Sequence, residues 1–161
     1  MHKDLITEFG YKKFVKEFKN LAEKQKPYWV KEKEIAAQHG DRSENAEYIS
    51  AKEMLRNIDK RLRFLEKIIN NSTVIQTNKI PHIKVNFGSE VILLDLETNK
   101  EKTFVIVGTK ETDPKKNLIS NKSPFGKVLL GKEEGEEFEF KINDEFFEYE
   151  VLSIIMHEFD L

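Results

Sequence analysis

Cysteine is absent from the 161-residue chain. That excludes disulfides, thiolate metal sites and cysteine nucleophiles. No run of ~18 apolar residues occurs, so no membrane span is expected. Glycine is sparse, at seven residues, and forms no phosphate-cradling loop. The four histidines (His2, His39, His82 and His157) are scattered without zinc-type spacing, and each is expected at the surface. Only His39 lies near a candidate site. No Ser/His/Asp constellation can be argued. The start, Met1-His2-Lys3-Asp4, lacks the apolar stretch of a signal peptide. A soluble cytoplasmic protein is expected.

What the chain does have is charge. Asp, Glu, Lys and Arg make up 35% of it, and the net of -2 conceals an asymmetry. Residues 1–77 carry 16 basic and 12 acidic side chains, a balance of +4; residues 78–161 carry 11 and 17, a balance of -6. A basic half joined to an acidic half fits two modules facing different partners, the first suited to nucleic acid and the second to a basic protein surface. Two solvated surfaces of different composition would look the same.

The first half has the periodicity of two helices. Phe14, Phe18, Leu21, Gln25, Tyr28, Glu32 and Ile35 step alternately by four and three, as do Tyr48, Ala51, Leu55, Ile58, Leu62, Leu65 and Ile69. Such spacing is a coiled-coil seam. Between the two lies His39-Gly40-Asp41-Arg42-Ser43, with Gly40 a natural helix stop. So short a turn makes the helices antiparallel. The predicted layers pair Ile35 with Tyr48, Tyr28 with Leu55, Leu21 with Leu62 and Phe14 with Ile69, each pair of numbers adding to 83. Thr7 is the expected N-cap. From there to His39 is about 30 residues, or ~45 Å of helix. Pro27 falls inside it, removes a backbone donor and is expected to bend the rod.

Asn70-Asn71-Ser72 reads as the end of the second helix, and Asn78 to His82, with Pro81, as a linker. Strands are expected over 89–96, 102–107, 136–142 and 145–155, the last two joined at Asn143-Asp144. Ser123-Pro124 opens a short helix through about Leu130. The predicted fold class is α+β: an antiparallel helical coiled-coil domain at 1–77, a linker at 78–82, and a small sheet domain with one short helix at 83–161.

Asp41 and Glu44 fall at the turn. They resemble a capping box, an acidic N-cap with Glu three residues on. The functional alternative is a pair of carboxylates able to bind a divalent cation. Mg²⁺ wants six oxygens, so two carboxylates make an incomplete site that a partner would have to finish. Lys52, Arg56, Lys60 and Arg63 recur along one side of the second helix, away from the seam. They are either a solvated face or a track for an RNA backbone.

The stretch Gly40-Asp41-Arg42-Ser43-Glu44-Asn45-Ala46-Glu47-Tyr48 resembles the tip motif of the GreA/GreB transcript cleavage factors. Thr7-Glu8-Phe9-Gly10-Tyr11 and Val85-Asn86-Phe87-Gly88-Ser89-Glu90-Val91 are also similar to family segments. So are Ile106-Val107-Gly108, Asn117-Leu118-Ile119-Ser120, Ser123-Pro124 and Leu130-Gly131-Lys132-Glu133-Glu134-Gly135, in family order. Arg42-Ser43 looks like the GreB side of the family, and the C-terminal segments like the GreA side, toward which the chain leans. The resemblance implies an FKBP-like sheet domain. It implies a factor that binds RNA polymerase, inserts the coiled-coil tip into the secondary channel, and stimulates cleavage of the backtracked nascent RNA 3′ end. The polymerase is then the nuclease, and the factor, a monomer, its activator. Asp41 and Glu44 match the acidic pair that helps hold a shared catalytic Mg²⁺; Arg42, Ser43, Asn45 and Tyr48 match supporting tip positions. Ser123 and Pro124 match a polymerase-contacting segment. The preceding residue, Lys122, departs from the acid of GreB-like members. Two rival readings are an inhibitor that binds the same channel and, from the FKBP-like half alone, a prolyl isomerase, although fold does not imply function.

Overall fold

The computed structural model describes residues 3–40 and 45–159. The chain divides into two compact units. One is the helical segment Tyr11–Asn71; the other joins the residues up to Gly10 to everything from Ser72 onward. The compact units thus divide after Gly10 and after Asn71, so the first ten residues belong with the sheet. The cause is a strand pair that the sequence pattern hid. β1 (Asp4–Thr7) lies parallel to β2 (Ser72–Ile75), with Asp4 opposite Ser72 and Thr7 opposite Ile75. Leu5 and Ile75 pack against the core of the sheet unit. The segment expected as a linker also carries structure: Thr77–Lys79 forms a 3₁₀ turn, and Ile80 packs against the same core.

In the helical unit, α1 (Glu8–Asn20) passes into a π-helical turn at Leu21–Gln25 and then α2 (Lys26–Ala37); α3 (Ala46–Asn71) returns. The Lys26 N–H donates to Leu21 O, five residues back instead of four. The extra residue sits just ahead of Pro27, which has no N–H and whose ring would crowd the carbonyl four residues earlier; widening the turn relieves that crowding. The consequence is a seam shifted by one. Upstream, Phe14, Phe18 and Leu21 are half-buried as predicted. Downstream, Gln25, Tyr28 (56% exposed) and Ile35 (40% exposed) point outward, and Lys26, Trp29, Lys33 and Ala36 turn inward. The predicted layers at Tyr28 and Ile35 are thus incorrect. The α3 seam keeps its expected phase, with Ala51, Ile58 and Leu65 buried, joined by Ile68.

The two helices are antiparallel. Glu17 meets Arg61, Lys26 meets Asp59, and Lys33 lies over the Tyr48 ring, so one number rises as the other falls. Glu17 accepts two bonds from Arg61, at 2.6 and 2.9 Å. That hydrogen-bonded guanidinium holds the Glu17 carboxyl below its ordinary value.

The sheet unit contains β3 (Ser89–Asp95), β4 (Glu101–Val107), β5 (Leu118–Ser120), α4 (Pro124–Leu129), β6 (Glu137–Ile142) and β7 (Glu145–Met156). The strand order is β5-β4-β3-β7-β6, antiparallel except for the parallel β4–β5 pair. β5 is a further strand that the sequence pattern did not reveal. Asn143 and Asp144, both at positive φ, form the β6–β7 turn as expected. Val91, Leu93, Ile106, Leu129 and Val151 are fully buried at the centre.

The junction of β1 and α1 is closed by Glu111. Its carboxylate accepts from the Thr7 N–H at 3.0 Å, the Gly108 N–H at 2.8 Å and the Thr7 hydroxyl. The Thr7 hydroxyl in turn accepts from the Gly10 N–H at 3.0 Å, the predicted N-cap bond. A Cβ on Gly10 would overlap the Glu111 carboxylate, and one on Gly108 would overlap Leu5 O. Burial raises the Glu111 carboxyl above the ordinary 4.5, against the pull of the Thr7 and Gly108 bonds. A raised folded-state value means that this stabilisation is complete below the unfolded value and fades as pH rises through the folded one. The expected result is that the urea-unfolding free energy of wild type, less that of Glu111→Gln, declines as pH is raised from about 4; a difference that grows with pH would contradict it.

Candidate functional site

α3 starts at Ala46, and its cap is Asn45. The Asn45 Oδ1 accepts from the Glu47 N–H at 3.0 Å and the Tyr48 N–H at 3.1 Å, satisfying two of the donors that a helix start leaves open. Its Nδ2 donates to Ala36 O at 2.6 Å, near the end of α2. This one amide therefore closes the hairpin as well as starting the return helix. The capping-box reading rests on Asp41 and Glu44, and among the described residues it is Asn45 that fills the cap of α3. Asp41, Arg42, Ser43 and Glu44 themselves lie outside the described residues.

Before the turn, Gly40 has φ of +133°, a value that favours glycine. His39 is exposed, with its N–H bonded to Ala36 O. Tyr48 is half-buried beneath Lys33, 6.0 Å from its ring centre. Along α3, Lys52, Arg56, Lys60 and Arg63 are all exposed. Arg61, one residue from the stripe, is committed to Glu17 and lies 5.1 Å over the Phe64 ring.

The second group of expected site residues sits in the sheet unit. Ser123 caps α4: its Oγ accepts from the Gly126 N–H at 3.0 Å and donates to Ser120 O at 2.7 Å. Pro124 opens the helix and is exposed. Phe125 anchors the segment, its ring 4.9 Å from that of Phe140 and 5.1 Å from that of Phe104. A Cβ on Gly126 would overlap Ser120 O, so the turn from β5 into α4 has no slack. Lys122 is paired with Asp4 of β1, which holds that carboxyl below its ordinary value.

Two of the histidines expected at the surface are structural. His82 bonds through both ring nitrogens, to Ser89 Oγ at 2.6 Å and Thr77 O at 2.7 Å. His157 contacts Glu90 at 2.8 Å and packs edge-on against Phe159. Spacing alone did not reveal either, because their partners are loop and strand atoms. Among the described residues, no group of three or more metal-ligating side chains is arranged to hold an ion, and no helix is long and apolar enough to cross a membrane.

Two family models match the chain. Residues 4–74 match "Transcription elongation factor, N-terminal", and residues 80–156 match "Transcription elongation factor, GreA/GreB, C-term". The transcription elongation factor GreA of Nitratiruptor sp. is 45% identical over 152 residues, covering 94% of this chain and 93% of its own. That of Helicobacter pylori (strain Shi470) is 42% identical over 158 residues, covering 98% and 96%. Among solved structures, the GreA factor homolog 1 protein of Thermus thermophilus overlays with a TM-score of 0.44 at 22% identity, covering 96% of this chain and 99% of its own.

The Ser123 cap predicts a stability cost. Ser123→Ala should lower the unfolding free energy by about 0.5–2 kcal/mol in urea titration, and Ser123→Asp by less, since aspartate also caps.

Proposed function

The chain belongs to the GreA/GreB family of transcription elongation factors, and on that premise we propose that it activates RNA cleavage by bacterial RNA polymerase. What supports the reading is the motif Gly40 to Tyr48 itself, whose described residues lead from Gly40, after α2, to the Asn45 cap and the first turn of α3. The hairpin enters the polymerase secondary channel. Asp41 and Glu44 help hold a second Mg²⁺ whose other ligands come from the polymerase, and they orient the attacking water. Mg²⁺ keeps several waters and demands six oxygens, so the factor alone holds none stably. A two-metal site both activates the water and steadies the charge on the leaving oxygen. The backtracked RNA 3′ end is the substrate, the polymerase is the nuclease, and the factor works as a cytoplasmic monomer.

Arg42, Ser43, Asn45 and Tyr48 support the tip. The Ser123-Pro124 segment, held rigid by its cap and by Phe125, touches the polymerase. The sheet unit is read as FKBP-like from its five-stranded, largely antiparallel order with one short helix. The relatives' name places the chain on the GreA side.

Asp41→Ala and Glu44→Ala are each expected to abolish shortening of RNA in a stalled, backtracked polymerase complex with Mg²⁺ present, while leaving polymerase binding intact. Undiminished cleavage by both would sink the reading, as would slowed elongation without cleavage by the unaltered factor, which would identify an inhibitor.

The exposed row of Lys52, Arg56, Lys60 and Arg63 is proposed to follow the RNA backbone. Replacing Lys60 and Arg63 by Gln should flatten the dependence of log affinity for single-stranded RNA on log salt by about 0.7 per charge removed. An unchanged slope would return the row to a merely solvated face.

A further inference from the structure

The strongest unexplained arrangement outside the acids is the double use of Asn45. Most N-caps satisfy donors of their own helix and stop there. Here the remaining half of the amide reaches the other helix. Its Nδ2 donates to Ala36 O at 2.6 Å, while Oδ1 accepts from the Glu47 and Tyr48 N–H groups at 3.0 and 3.1 Å. Two donors converge on one end of the amide and a carbonyl on the other, which fixes its orientation without ambiguity. Ala36 is 3% exposed, so this carbonyl belongs to a buried residue near the end of α2. Among residues that cap well, Ser and Asp can offer the acceptor. Neither can offer the donor: aspartate has no N–H, and a serine side chain is one bond shorter.

We propose that Asn45 is a positioning residue for cleavage, a clasp that fixes the spacing between the end of α2 and the start of α3 and so sets the span from which Asp41 and Glu44 are presented. The inference rests on the cleavage reading above and deepens it. Residue 45 directly follows Glu44 in the chain, and Ala36 precedes Asp41 by five residues. With the clasp made, the two ends of the acidic segment are held by the same amide. Without it, α3 remains capped, and the separation at the turn is held only by the seam below it, where Lys33 lies over the Tyr48 ring. Metal-assisted chemistry is sensitive to such change, because misplacement of a ligand by an ångström is enough to cost orders of magnitude in rate.

The test is a pair of variants that keep the cap and break the clasp. Asn45→Ser and Asn45→Asp both leave an acceptor for the Glu47 and Tyr48 N–H groups. Serine removes the donor without adding charge, and aspartate sets a carboxylate against Ala36 O. The full-length protein is assayed with a backtracked polymerase complex, at saturating factor and across a Mg²⁺ series. The maximal cleavage rate should fall roughly tenfold or more in both variants, with a raised half-saturating Mg²⁺ concentration. Helix content by circular dichroism, and competition for polymerase against the wild-type factor, should be unchanged. A merely structural role would move the half-saturating concentration of factor and leave the maximal rate and Mg²⁺ dependence as they were; that result, or wild-type cleavage by both variants, overturns the proposal. Asp41→Ala runs beside them. If it is inactive while the Asn45 variants cleave normally, the clasp fails and the cleavage reading stands. If it too cleaves normally, the cleavage reading falls.

Discussion

The parallel pairing of β1 with β2 is the constraint on which the rest of the chain's organisation depends. Parallel strands cannot be joined by a tight turn; they need a crossover of a dozen residues or more. Here the crossover is the whole helical segment from Glu8 to Asn71, which begins at the residue after β1 and ends at the residue before β2. A pair of four-residue strands is a weak unit by itself. Glu111 compensates by gathering the Thr7 and Gly108 N–H groups and the Thr7 hydroxyl onto one buried carboxylate. Gly10 and Gly108 leave no room for a side chain at that point. The N-cap of α1 and the anchoring of β1 are thus the same set of bonds, because Thr7 donates to Glu111 with the hydroxyl that accepts from Gly10.

Much of this was legible in the sequence, and the exceptions have physical reasons. The α3 seam, the Thr7 cap, the Ser123 cap and the four longer strands follow from periodicity and local chemistry, which act within a few residues. β1, β2 and β5 are three or four residues each, too short to show alternation, and they exist because of partners distant in sequence. Composition changes near residue 77, whereas the ladder that assigns Asp4–Thr7 to the sheet is a long-range contact that composition does not carry. Pro27 was legible as a disturbance, but the change of phase that comes with it was not. A proline costs a helix one donor; only the local backbone decides that the chain here takes in an additional residue and rotates everything after it. Tyr28 and Ile35 are exposed because of that choice, and no periodicity upstream contains it.

The candidate site divides in the same way. Asp41 and Glu44 were singled out by motif, and a capping box was their plain alternative. Asn45, the residue after the pair, is the one that fills the cap of α3 among the described residues. The signal for Asn45 was available in residue type, asparagine being a favoured N-cap. Its second bond, to Ala36, depends on the separation of two helices and was not. The exposure of Lys52, Arg56, Lys60 and Arg63 followed from the α3 seam, and that phase held.

The position of the acids also bears on where a cation is held. In sequence, Glu44 immediately precedes Asn45, the cap of a 26-residue helix whose start is the positive end of its dipole. That end favours carboxylates by about 0.3–1 kcal/mol each and disfavours a cation placed beside them. Two acids next to a helix start would, on the proposed reading, be a poor metal site in isolation. An Mg²⁺ ion shared with another protein's carboxylates escapes the difficulty, because most of its charge is neutralised by ligands far from this helix. On the proposed reading, the acids need not capture the ion. They need only complete a coordination shell already begun elsewhere.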